Sequence, residues 1–280
     1  MTITSTAAAP ARHVVARHHV TEAGRPDGPV VLLAHGFGCD QEMWRRLLPH
    51  FTDDHRVVLY DHVGAGRSDL AAYDPARYSS LDGYADDLLA ICAELDLEEV
   101  TVVAHSVAAM MAVAAAARDS SRFARMVLIA PSPCYVDDPS TGYVGGFSRA
   151  DIDELLASLD SNYFAWAAAM APVVMGNPDS PALGDQLERS FCSTDPDIAR
   201  EFARVTFLSD ARPLLPRVDV PTLLLQCAQD ALAPLEVGDH LHAAIAGSTL
   251  VRLRATGHCP HVSAPEETAA AIRAFLAEQR

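Results

Sequence analysis

A serine, an aspartate and a histidine lie far apart in this 280-residue chain, yet each stands where a nucleophile, its orienting acid and its base would stand. Ser106 occurs in T-V-V-A-H-S-V-A-A-M-M-A-V (residues 101–113), where an apolar run ends and an alanine-rich helix former begins. A serine on a sharp strand-to-helix turn projects its hydroxyl beyond the end of a sheet, where it can attack a carbonyl once a base takes its proton. Such a turn demands small residues two before and two after the serine. Glycine is usual; Ala104 and Ala108 are the next smallest. On its own, A-x-S-x-A reads as easily as a serine starting a helix. The partners favour the nucleophile. Histidine titrates near neutral pH and suits a general base, while a carboxylate fixes its tautomer and steadies the imidazolium. Asp230 comes just after the apolar segment Leu223-Leu224-Leu225-Gln226-Cys227, and His258 follows the last apolar run in A-T-G-H. Taken singly, the first is a turn aspartate and the second a buried histidine. Three such residues at the carboxyl ends of three strands, in that order, point to acyl transfer through a covalent serine ester.

Acyl transfer also needs two backbone N–H groups aimed at the developing oxyanion. Val107, next after the serine, supplies one. The loop His35-Gly36-Phe37-Gly38 supplies the other through Phe37, its glycines letting the backbone approach substrate. Other chemistries find less support. All 21 basic residues are arginine, and the lack of lysine excludes Schiff-base, pyridoxal-phosphate, Walker-type and Ser-Lys mechanisms. Gly64-Ala65-Gly66-Arg67-Ser68-Asp69 resembles a dinucleotide-binding loop, but Asp69 stands where the third glycine belongs, so a tight strand-to-helix turn is expected. Cys39, Cys92, Cys134, Cys192, Cys227 and Cys259 are scattered as reduced, buried thiols are, and neither C-x-x-C nor H-E-x-x-H occurs. No metal and no organic cofactor is expected. A net charge of −16 disfavours nucleic acid and anionic membranes. No apolar run reaches the roughly 20 residues a bilayer crossing needs. Residues 1–12 hold no apolar block and read as a frayed tail rather than a secretory signal, so a cytoplasmic protein is expected.

These residues need a scaffold that gathers strand ends along one rim. Val30-Val31-Leu32-Leu33-Ala34, Val57-Val58-Leu59-Tyr60 and residues 100–103 are uniformly apolar, as parallel strands buried on both faces are. Residues 81–95 carry Leu81, Tyr84, Leu88, Ile91, Cys92 and Leu95 at helical spacing. Runs at 126–130 and 222–226 repeat the strand pattern, and 249–253 alternates as an edge strand does. Strand and helix in alternation predict an α/β fold with a mostly parallel sheet flanked by helices. Residues 132–210 differ. They hold no buried strand run, show helical patterns at 151–159 and 198–208, and concentrate many of the aromatics. An all-helical insertion is expected there, lying as a lid over the carboxyl edge of a core made of residues 1–131 and 211–280. A separate small helical domain is the other reading.

Six blocks carry a resemblance: H-G-F-G-C-D-Q-x-x-W (35–44), Y-D-H-V-G-A-G-R-S-D (60–69), Y-S-S-L-D-G-Y-A-D-D-L (78–88), P-S-P-C-Y (131–135), F-C-S-T-D-P-D-I-A-R (191–200) and G-H-C-P-H (257–261). Together they resemble the α/β-hydrolase superfamily and, within it, the RsbQ-like stress-signalling hydrolases and the plant karrikin and strigolactone receptor hydrolases. The likeness departs at Ala104, where those proteins carry glycine. It implies an α/β-hydrolase fold with a four-helix lid inserted before the acid-bearing strand, and a triad of Ser106, Asp230 and His258. It also implies a small apolar pocket lined by Phe37, Tyr135, Trp166, Met170 and Phe207. The activity implied is hydrolysis of a small apolar ester or lactone. The alternative is a ligand-sensing protein of slow turnover that meets a partner protein phosphatase through its lid, as RsbQ-like proteins do in stress signalling.

Overall fold

A computed structural model of the chain describes residues 13–278; the segment read as a frayed tail, 1–12, lies outside the described residues. Seven strands form one sheet: β1 (Thr21–Gly24), β2 (Val30–Ala34), β3 (Arg56–Leu59), β4 (Val100–His105), β5 (Phe123–Ile129), β6 (Thr222–Gln229) and β7 (Thr249–Thr256). Their order is β1-β3-β2-β4-β5-β6-β7, and every neighbouring pair is parallel except β1 with β3.

The uniformly apolar runs become the central strands because both faces are covered. Leu32, Ala34, Val102, Ala104 and Leu128 pack under α2 (Leu81–Glu94), α3 (Val107–Arg118) and α8 (Leu235–Ala244). Val31, Leu33, Val103, Val127 and Ile129 pack under α10 (Pro265–Glu278) together with Trp44, Leu47 and Phe51. Each such Val, Leu or Ile contributes about 1.5–3 kcal/mol on burial, so this sheet is a rigid base for whatever its strand ends carry. At the amino end of the described chain, α1 (His13–Arg17) docks beside α2, its Val14 N–H donating to the Glu94 carboxylate at 3.0 Å.

β7 lies at the edge, as its alternation predicts. β1 has no counterpart among the expected strands. T-E-A-G is short and polar, and it becomes a strand by pairing with the free edge of β3, where Arg56 and Glu22 form an ion pair at 2.6 Å. The turn expected at residues 64–69 also needs correction. It leads not directly into a helix but into a single 3-10 turn, Leu70–Ala72, and α2 starts only at Leu81.

Four helices stand between β5 and β6: α4 (Arg149–Ser161), α5 (Tyr163–Met175), α6 (Pro181–Ser193) and α7 (Pro196–Leu208). Their starts are written locally. Ser148 and Asp151 form a reciprocal capping box for α4, Asn162 caps α5, and Asp195 followed by Pro196 opens α7. The insertion is not helical throughout. Tyr135, Tyr143 and Phe147 lie in an ordered loop before α4 that is closed by the bridges Val136↔Phe147 and Asp138↔Tyr143. Ile152, Leu156, Trp166, Leu187 and Phe207 of these helices pack in one cluster with Cys39, Leu232 and Cys259, which lie beyond the carboxyl ends of β2, β6 and β7. A short helix after β7, α9 (Pro260–Ser263), leads into α10. Among the described residues, no helix is long and apolar enough to cross a membrane.

Candidate active site

β4 ends at His105 and α3 begins at Val107, leaving Ser106 between them at φ 56° and ψ −126°. A non-glycine residue held there stores strain of about 1–3 kcal/mol, which a buried strand and a buried helix on either side can impose. Ala104 and Ala108 are both buried beside it. Gly36, after β2, touches this turn only because it lacks a side chain: a Cβ would stand 2.8 Å from His105 Nδ1 and 3.1 Å from Ser106 Cβ.

The three sequence-distant residues meet. Ser106 Oγ lies 2.7 Å from His258 Nε2, and His258 Nδ1 lies 2.7 Å from Asp230 Oδ2. A carboxylate only accepts, so Nδ1 carries the proton and Nε2 turns its lone pair toward the serine hydroxyl. Asp230 divides its oxygens, Oδ1 accepting the Leu232 N–H at 2.8 Å while Oδ2 takes the imidazole. The turn-forming and orienting roles of this aspartate therefore coexist. The side chains of His258 and Asp230 are 3% and 0% exposed, which keeps water from competing for their bond.

Around these three residues lies a shell of histidines that sit inside the sequence motifs but had no role assigned to them there. His105 Nε2–H donates to the His258 carbonyl at 2.8 Å. His35 and His62 bond reciprocally: the His62 N–H donates to His35 Nε2 at 3.0 Å, and His62 Nε2–H donates to the His35 carbonyl at 2.8 Å. That pair pins the loop carrying Phe37. Burial pushes His35 down to about 4 and His261 down to about 3. It also holds His62 and His105 well below the usual imidazole value, so all four are neutral at neutral pH. The signal for them was positional, since H-G-F-G, D-H-V-G, A-H-S and G-H-C-P-H each put a histidine at or just beyond a strand end.

Val107 is the first residue of α3, where an N–H has no acceptor within the helix. Phe37 follows Gly36 directly, and its ring is the centre of an aromatic group, 5.5 Å from Phe202, 5.9 Å from Phe191 and 6.0 Å from Trp166 between centroids. Ser106 and His258 line a small, largely apolar cavity. Phe37, Tyr135, Trp166, Met170 and Phe207 all line it. Tyr135, near Ser106, has its phenol pushed up to about 12 by burial and stays neutral. Cys39, Phe191 and Cys259 also form the wall, which apolar residue types alone could not announce. Burial pushes the Cys39 thiol up to about 12 and Cys259 well above the usual thiol value, so neither is a thiolate nucleophile at neutral pH. Among the described residues, no group of three His, Cys, Asp or Glu side chains is gathered to hold a metal ion.

The model of the alpha/beta hydrolase family matches residues 31–271. The chain belongs to this family. This α/β hydrolase is 38% identical over 250 residues to a probable esterase of Oryza sativa subsp. japonica, covering 89% of this chain and 92% of that protein. It is 39% identical over 248 residues to a strigolactone esterase of Arabidopsis thaliana, with 88% and 92% covered. To the karrikin insensitive 2 receptor CA of Petunia hybrida it is 38% identical over 250 residues, with 89% and 92% covered. Among solved structures, a hydrolase from Oleispira antarctica superposes on it with a TM-score of 0.91 at 42% identity, covering 94% of this chain and 96% of that one.

Proposed function

We propose that this α/β hydrolase is a serine hydrolase that cleaves a small apolar ester or lactone. One observation carries the reading: a continuous hydrogen-bonded chain, Asp230 to His258 to Ser106, ends at its serine in a largely apolar cavity. His258 Nε2 takes the Ser106 proton as Oγ bonds the carbonyl carbon, and the N–H groups of Phe37 and Val107 receive the oxyanion. Collapse expels the alkoxide, which takes the proton from His258; in a lactone it stays tethered to the acyl group. Water then attacks the acyl-enzyme with His258 as base, and Ser106 leaves with its proton restored. Every step uses groups of the chain, the substrate and water. The helices α4–α7 serve as the lid that keeps bulk water from this cycle.

Ser106→Ala is expected to abolish both covalent labelling by a fluorophosphonate probe and hydrolysis of a short-chain p-nitrophenyl ester. Stoichiometric labelling of that variant would sink the assignment.

A second reading rests on the relatives named as receptors. In it the same site senses a ligand, turns over slowly, and the lid presents a surface to a partner protein, a phosphatase in the RsbQ-like arrangement. Pre-steady-state kinetics separate the two: an enzyme releases product steadily, whereas a sensor acylates once and stalls.

A further inference from the structure

The last turn of a helix leaves carbonyls without partners in the helix. At the end of α5 they are taken up by the segment that carries His258. The His258 N–H donates to the Val174 carbonyl at 2.8 Å, and Thr256 Oγ1 donates to the Gly176 carbonyl at 3.2 Å. Asn177 Nδ2 donates to Met175 O at 2.6 Å and to Thr256 O at 3.0 Å, bridging the two segments. Their backbones touch at two glycines. A Cβ on Gly176 would stand 2.7 Å from Gly257 Cα, and one on Gly257 would stand 1.8 Å from Met175 O.

The inner face of α5 meanwhile supplies Trp166, Met170 and Val174 to the cavity wall. One helix therefore touches whatever fills the cavity and also holds the backbone of the imidazole. On its other side the His258 peptide is held by the core, through the bond from His105 to its carbonyl. A shift of α5 pulls the peptide against that fixed point and changes the distances from the imidazole to Ser106 and Asp230.

We propose that Asn177 is a positioning residue: by tying the end of α5 to Thr256 it keeps His258 in register with Ser106, so that the fit of a ligand against α5 sets the alignment of the base. The proposal rests on the hydrolase reading above. Asn177 does not line the cavity, so it acts through His258 and not on substrate.

The test compares Asn177→Ala, Asn177→Asp and Thr256→Val with the unaltered protein. The aspartate keeps the shape but turns two donors into a carboxylate facing two carbonyl oxygens, and the valine removes one donor. For a short p-nitrophenyl ester, kcat is expected to fall about tenfold or more with KM within about twofold in the Asn177 variants, as a displaced base would cause. Fluorophosphonate labelling should slow in parallel, and Thr256→Val should show a smaller loss of the same kind. Unchanged kcat and labelling in a folded Asn177 variant, or a loss confined to KM, overturns the proposal. If Asn177→Ala does not fold, the other two variants are read by the same criteria. Ser106→Ala is run beside them: persistent labelling there removes the hydrolase reading, whereas a silent Ser106→Ala with Asn177 variants at full speed removes only the positioning role.

Discussion

Ser106 illustrates how a residue can be held in a conformation that it does not prefer. Its φ of 56° is sustained by β4 on one side and α3 on the other, both buried, and not by its own small neighbours. Ala104 sits in β4 opposite Ala34 and Leu128, with its methyl in the core beneath the turn. Ala104→Gly is therefore expected to lower stability by about 1 kcal/mol, through added backbone freedom and a methyl-sized void, while kcat for a p-nitrophenyl ester is retained or raised. A urea titration and a kcat measurement on the same preparation check this. A large loss of kcat with stability intact would give the alanine methyl a part in shaping the turn. The candidate site residues Ser106, Asp230 and His258 could be picked out in the sequence because each lies within two residues of a strand's carboxyl end. Cys39, Phe191 and Cys259 could not, since a cavity wall uses the same residue types as a core.

At the scale of elements, α5 and α7 set the cavity's dimensions through Trp166 and Phe207. Trp166→Ala and Phe207→Ala should favour longer acyl chains, raising the kcat/KM ratio of butyrate over acetate esters by about tenfold, since each of the two added methylenes accommodated in an apolar site is worth roughly 0.8 kcal/mol. An unchanged ratio would remove that residue from the acyl pocket. The helical insertion was legible as a region, from its missing strand runs and its aromatics, and α4 and α7 were legible individually. α5 was not singled out, because it carries no charged residue and shows no polar face to mark its period. β1 escaped because pairing with a neighbour, not composition, makes it a strand.

The whole molecule buries several histidines in neutral form around the site, and this gives its stability a pH dependence. His35 titrates at about 4 and His261 at about 3 in the fold, against an unperturbed imidazole near 6.5. His62 and His105 are shifted the same way. Between these values the unfolded chain binds protons that the fold refuses, so stability is full above about pH 6.5 and declines as pH falls toward 4. Each refused proton contributes about 1.4 kcal/mol per pH unit, and four together make the slope roughly 5 kcal/mol per unit at its steepest. Carboxylates such as Asp54, held near 2 chiefly by Arg273, lose their contribution only at lower pH and do not blur this window. Denaturation midpoints at pH 7.5, 6 and 5 should fall steeply. A flat profile would mean that some of these imidazoles are charged in the fold.

Much of this protein is fixed locally. Uniform apolar runs must be buried on both faces, and a polar residue just after a strand emerges at the sheet's rim, so the fold class, the buried strands and the three candidate site residues could be read from sequence. Contact across the chain does not. Ser106 and His258 are 152 residues apart, and His258 and Asp230 are 28 apart. Their 2.7 Å bonds, the strained φ at Ser106, the neutral histidine shell and the capping of α5 by the His258 segment arise only when sheet, helices and insertion pack together. Hydrogen bonds and desolvation act over a few ångströms, and only the packed chain sets which groups come that close.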